Sequence, residues 1–76
     1  MNSLFLPPMI EFKVEGDYIP MIQLLKATGL VQTGGEAQIV VEHGEVTYNG
    51  AVDYRKRLKV KKGDLIEFRG KQIKAI

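Results

Sequence analysis

"TGGEAQIVVEHGEVTYNG", residues 33–50, carries a helix start, a helix end and a hairpin turn in eighteen letters. Thr33 followed by Glu36 is a capping-box pattern: the hydroxyl accepts from an amide three residues on, and the glutamate reaches back to the cap amide. The spacing predicts a helix starting at Gly34, with Ala37, Val40 and Val41 sharing one face and Ile39 beside it. Gly44 suits the left-handed position just past the helix end. So short a helix is weak alone and must be held by packing against another. Beyond it, "VTYNGAV" is two strand arms joined by Asn49-Gly50, a pair whose tolerance of positive φ suits a type I′ hairpin turn.

Working upstream, "MIEFKV", residues 9–14, alternates apolar and charged residues and predicts a half-buried strand that pairs with a sheet edge. A helix is predicted from Ile19 to Thr28, where Met21, Ile22, Leu24, Leu25 and Thr28 recur at spacings of three and four, with Pro20 in the first turn and Gly29 closing it. Downstream, "KKGD" at 61–64 reads as a turn. "LIEFR" and "QIKAI" then alternate about Gly70-Lys71 as a second hairpin, turning Ile66, Phe68, Ile73 and Ala75 inward. The expected class is α+β, two short antiparallel helices packed on a small, mostly antiparallel β-sheet. With 76 residues and no repeat or linker, residues 1–76 form a single domain, and residues 1–8 stay open between order and disorder.

Composition removes several classes of function. There is no cysteine, which excludes disulfides, cysteine-bound zinc and thiol catalysis, and a lone His43 argues against a histidine-rich metal site. The apolar run "LFLPPMI" is too short and proline-broken to span a membrane, so a cytoplasmic protein with no membrane partner is expected. Neither a nucleophile–base pair nor a Walker-type phosphate loop is visible. The expectation is therefore no enzyme, no catalytic residue, no metal and no cofactor. His43, one residue before a helix-ending glycine, is placed to interact with the helix dipole.

The charge is strongly uneven. Residues 1–50 sum to −4 and residues 51–76 to +6, an asymmetry that suggests a polyanionic partner. Arg55, Lys56 and Arg57 are consecutive, with Lys59, Lys61 and Lys62 close behind. On a strand, Arg55, Arg57 and Lys59 would project together, and cations in a row neutralise phosphates and release counterions. Interleaved arginines also fork onto phosphate oxygens. Thr33-Gly34-Gly35 opens a helix with unpaired amides that a phosphate can approach, although taken alone the same residues read first as a cap preceded by a flexible turn. Tyr48, next to Asn49 in the hairpin, could stack on an unpaired base or serve as a cross-strand core residue, and Tyr54 has the same two readings.

Two short helices, a Gly-ended second helix, an Asn-Gly hairpin, a basic strand and a Lys-Gly-Asp turn together resemble the RNA-binding domain named after ribosomal protein S-four, the alpha-L RNA-binding motif. The resemblance covers residues 18 to about 69. Its specific parts are "GGEAQIVVEHGEVTYNG" and "VKKGDLIEF", and within the family it is most similar to the small stand-alone YbcJ-type branch. It implies a groove formed by the second helix and the following loop and strands, on which structured RNA, ribosomal or ribosome-associated, lies. The implied RNA-binding residues are Thr33, Gly34, Gly35 and Gln38 on the second helix, Lys26 near the end of the first, and Arg55, Lys56, Arg57 and Lys59 on the basic segment. Tyr48 and Asn49 at the hairpin complete the set. Many family members carry an arginine where this chain has Gly34-Gly35, which shifts the burden to Arg55–Arg57. A monomer is expected. The competing expectation is a protein-interaction module that docks an acidic partner through the same basic face.

Overall fold

Thr33 does cap the second helix, and the details of its box show how the chain enters it. Its backbone is extended (φ −135°, ψ 162°) and its hydroxyl accepts from the Glu36 N–H at 3.1 Å. The Glu36 carboxylate accepts from the N–H of Gln32 at 2.9 Å, one residue further back than the capping box predicts. Both helices end in the same motif. After the C-cap His43, Gly44 N–H donates to Val41 and Glu45 N–H to Val40; after Thr28, Gly29 N–H donates to Lys26 and Leu30 N–H to Leu25. These paired bonds are the Schellman arrangement, which needs a left-handed residue, and Gly29 and Gly44 supply it at φ 78° and 77°.

The computed structural model describes residues 9–76; the first eight, whose order the sequence leaves open, lie outside the described residues. The elements run β1 (Met9–Phe12), β2 (Ile19–Pro20), α1 (Met21–Ala27), α2 (Gly34–Glu42), β3 (Val46–Tyr48), β4 (Ala51–Val52), β5 (Lys59–Val60), β6 (Leu65–Phe68) and β7 (Lys71–Ala75). One sheet has the order β1-β7-β6-β3-β4, and β2 pairs with β5 in a second, two-stranded sheet. Only β1 on β7 is parallel among the described strands; the other pairings are antiparallel. The β1 pairing is extended by Ile76 N–H to Phe12 (2.9 Å) and Val14 N–H to Ile76 (2.8 Å), so the predicted N-terminal strand does dock on an edge.

The first helix starts two residues later than predicted. Ile19 and Pro20 are strand residues opposite Val60 and Lys59, and Pro20 is the extended N-cap of α1 (φ −63°, ψ 143°). Proline fits there because its missing N–H leaves no donor stranded at a helix entry. The second hairpin also turns one residue early: Phe68 faces Lys71, and Arg69 and Gly70 take positive φ of 50° and 79°. The first hairpin turns on Asn49 (51°) and Gly50 (92°) as expected.

One core joins the helices and the sheet. Met21, Leu24 and Leu25 of α1 and Ala37, Val40 and Val41 of α2 meet Val46, Ile66, Phe68, Ile73 and Ala75 from the strands, all buried. The predicted inward set of the last hairpin is therefore the observed one. Ile39 stands apart, 53% exposed.

Candidate nucleic-acid interface

The segment between β4 and β5 gathers the cations, and Asp53 shapes it. Its carboxylate accepts from the Arg55 N–H (2.9 Å), from Arg55 Nε (3.0 Å) and from Nη2 (2.7 Å). The forked guanidinium holds the Asp53 carboxyl below the usual carboxylate range, and the carboxylate in turn raises Arg55. Leu58 N–H then donates to the Arg55 carbonyl at 3.2 Å, turning the chain over Lys56 and Arg57. The strand predicted through Arg55, Arg57 and Lys59 is thus a turn up to Leu58, and strand geometry begins only at Lys59. The reason is Leu58: it is the apolar residue of the run, it is buried, and its carbonyl accepts from the first N–H of α1 at 2.9 Å.

The turn nevertheless brings the odd-numbered cations together. Arg55, Arg57, Lys59 and Lys61 surround an open hollow of about 610 Å³ whose wall is completed by Tyr48 and Leu58. No acidic side chain among the described residues lines it. Arg57, Lys59 and Lys61 form no ion pair among the described residues, whereas Lys56 leaves the hollow to bond Glu42 at 3.3 Å. Lys59 instead holds its ammonium 5.0 Å from the centroid of the Tyr18 ring. Four like charges around one concavity create a field that attracts an anion.

Tyr48 faces both the core and the hollow. Its hydroxyl donates to Asp64 Oδ2 at 2.6 Å. Asp64 also accepts from the Lys61 N–H (2.8 Å) and from Asn49 Nδ2 (3.2 Å), and Asn49 Oδ1 accepts from the Leu65 N–H (2.8 Å). Partial burial alone would push the Asp64 carboxyl up, but the bonds from Tyr48, Lys61 and Asn49 outweigh it and hold the group below its usual range. The same bond to Asp64, aided by burial, raises the Tyr48 phenol. Asn49 thus uses its side chain to brace the "KKGD" turn, and one carboxylate fixes the Tyr48 hydroxyl and the Lys61 backbone.

The remaining sequence-predicted residues sit elsewhere. Lys26 is exposed in the last turn of α1, and Thr33, Gly34, Gly35 and Gln38 lie along α2; none of them lines the hollow. The Thr33 hydroxyl is engaged by Glu36 N–H, and a phosphate approaching there would meet the Glu36 carboxylate. Tyr54, 63% exposed, lies over Gly44. Lys61 stands in the basic run of the sequence but falls outside the RNA-binding set that the resemblance implies. Asp53 and Asp64 are not legible as site residues there: Asp53 acts through its near neighbour Arg55, and Asp64 through Tyr48 and Asn49, which the fold brings to it.

The model of the S4 domain matches residues 12–76, which takes in every element but the start of β1. The chain belongs to the S4 domain family. Among its relatives is YbcJ of Escherichia coli (strain K12), to which RNA binding is ascribed. YbcJ is 32% identical over 59 residues, which are 78% of this chain and 84% of YbcJ; YbcJ of Shigella flexneri matches equally. The solution structure of E. coli YbcJ, described as revealing an alpha-L motif involved in RNA binding, superposes with a TM-score of 0.67 at 25% identity, covering 100% of this chain and 95% of that one. The S4 match is wider than the 18–69 span of the sequence resemblance, because β7 and the residues around Val14 belong to the same core.

Proposed function

We propose that this S4 domain binds structured RNA, ribosomal or ribosome-associated, through the cationic hollow, acting as a monomer in the cytoplasm and performing no chemistry. One observation carries the reading: four cations converge on a single concavity, and three of them form no salt bridge among the described residues. Phosphates are the anions such a row suits, and each one neutralised releases counterions. The RNA binding ascribed to YbcJ supports the same partner. Arg57, Lys59 and Lys61 would make the main phosphate contacts. Arg55, already forked onto Asp53, adds to the field, and Tyr48 offers its ring. Lys26, Lys56, Asn49, Gln38 and the Thr33–Gly35 helix start would serve as outlying contacts for a longer RNA.

The test is a salt titration of binding to structured ribosomal RNA, single-stranded RNA and duplex DNA, with the Arg57→Gln/Lys59→Gln/Lys61→Gln variant beside the parent. Preference for structured RNA should collapse in the variant, with the log–log salt slope reduced by about 0.7–0.9 for each phosphate that is no longer neutralised. Equal affinity and slope in the folded variant would sink the assignment. Weak, indiscriminate binding to all three by the parent would favour an acidic protein as the partner of this face.

A further inference from the structure

A second, apolar hollow lies beside the cationic one, linked to it through Lys59. It encloses about 250 Å³ between β1, β2 and α1, walled by Phe12, Tyr18, Pro20 and Ala27, with the polar groups of Glu15 and Gln23 at its lining. Tyr18 belongs to this hollow and Lys59 to the cationic one, and the Lys59 ammonium lies 5.0 Å from the Tyr18 ring centroid. That contact follows from the fold: Pro20 pairs with Lys59 across β2 and β5, which sets Tyr18 beside the end of the basic run. Tyr18 is 42% exposed, so its side chain is open to a ligand from solvent.

We infer that the apolar hollow takes an unpaired nucleobase of the same RNA, stacked on Tyr18, while Lys59 holds the adjoining phosphate. The inference rests on the proposed RNA binding and specifies it: the preferred ligand is an RNA with an unpaired nucleotide next to its helical part. The two hollows divide the chemistry of a nucleotide between them. The cationic one matches the backbone; the other offers an aromatic face, which is sequence-tolerant, and a carboxylate and a carboxamide able to meet a base edge. A carboxylate such as Glu15 repels phosphate, so the backbone stays on the Lys59 side.

The experiment compares a blunt RNA hairpin with the same hairpin carrying a short unpaired tail labelled with 2-aminopurine, for the parent, Tyr18→Ala, Tyr18→Phe and the Arg57/Lys59/Lys61 glutamine variant. The parent should bind the tailed hairpin roughly tenfold more tightly and quench the label. Tyr18→Ala should lose that advantage and the quenching while keeping its affinity for the blunt hairpin; Tyr18→Phe, which keeps the ring, should retain both. Equal binding of the two hairpins by the parent, or an equal loss on both in Tyr18→Ala, overturns the base site and leaves the phosphate site standing. Should the glutamine variant bind both hairpins as the parent does, the RNA site itself falls and the base site with it.

Discussion

At the scale of single residues, Asp64 organises more of the site than any cation does. It is a side chain that the sequence presents as one letter of a turn, yet it fixes a tyrosine, an asparagine and the backbone of a lysine. Its titration has a definite sign. Because the folded carboxyl sits below its usual range, the unfolded chain binds the proton more tightly, so the stability it contributes is complete above about pH 4 and fades as pH falls through the depressed folded value. Tyr48 has the opposite sense: its raised phenol contributes stability that is complete below about pH 10 and is lost as pH climbs through the raised folded value. Tyr48→Phe should therefore cost about 1 kcal/mol near neutrality and flatten both limbs of the stability–pH curve. Denaturant melts across pH check it, and an unchanged acid limb would mean the bond contributes nothing to the Asp64 titration.

At the scale of elements, the end of α2 is tied to the segment that carries the cations. Gly44 must be left-handed at φ 77° to close the helix, and a Cβ there would stand 3.0 Å from Tyr54 Cε1. Tyr54 lies between Asp53 and Arg55, which are bonded across it, and Lys56 returns to Glu42 on the same helix end. Gly44→Ala should accordingly destabilise the fold by roughly 1–2 kcal/mol from backbone strain and should also shift the Tyr54 ring. Chemical melts and the Tyr54 ring resonances test this; a melt within error of the parent would show that the helix end tolerates the strain.

For the whole molecule, the cations and the core are separate. The buried set is entirely apolar among the described residues, and Arg57, Lys59 and Lys61 are exposed. Replacing all three by glutamine should lower the thermal midpoint only modestly, because exposed side chains outside any salt bridge typically shift stability by less than about 0.5 kcal/mol and the exposed Lys59–Tyr18 contact adds about 0.5–1 kcal/mol. Relief of mutual repulsion works in the opposite direction. A large fall in the midpoint would mean the row helps to hold β5 in place, and weaker binding by the variant would then reflect folding as well as charge.

The local sequence by itself determined the parts whose causes are local. Thr33 and Glu36 start α2, Gly29 and Gly44 end the two helices, Asn49-Gly50 turns the first hairpin, and strict alternation sends Ile66, Phe68, Ile73 and Ala75 inward; each is a matter of hydrogen bonds or φ within a few residues. Charge asymmetry marked the basic run as the candidate site, without its shape. Only the tertiary structure decided that shape. Leu58 is drawn into a core assembled from distant segments, so a run that reads as a strand becomes a turn and its alternate cations converge by wrapping a hollow instead of by pleating. Ile19 and Pro20 go to β2 and not to α1 because their partners lie about forty residues away in β5, and that same pairing sets Tyr18 against Lys59. Periodicity reports what a residue shares with its neighbours in the chain; contacts made across the core obey the packing of the whole, which no short window contains.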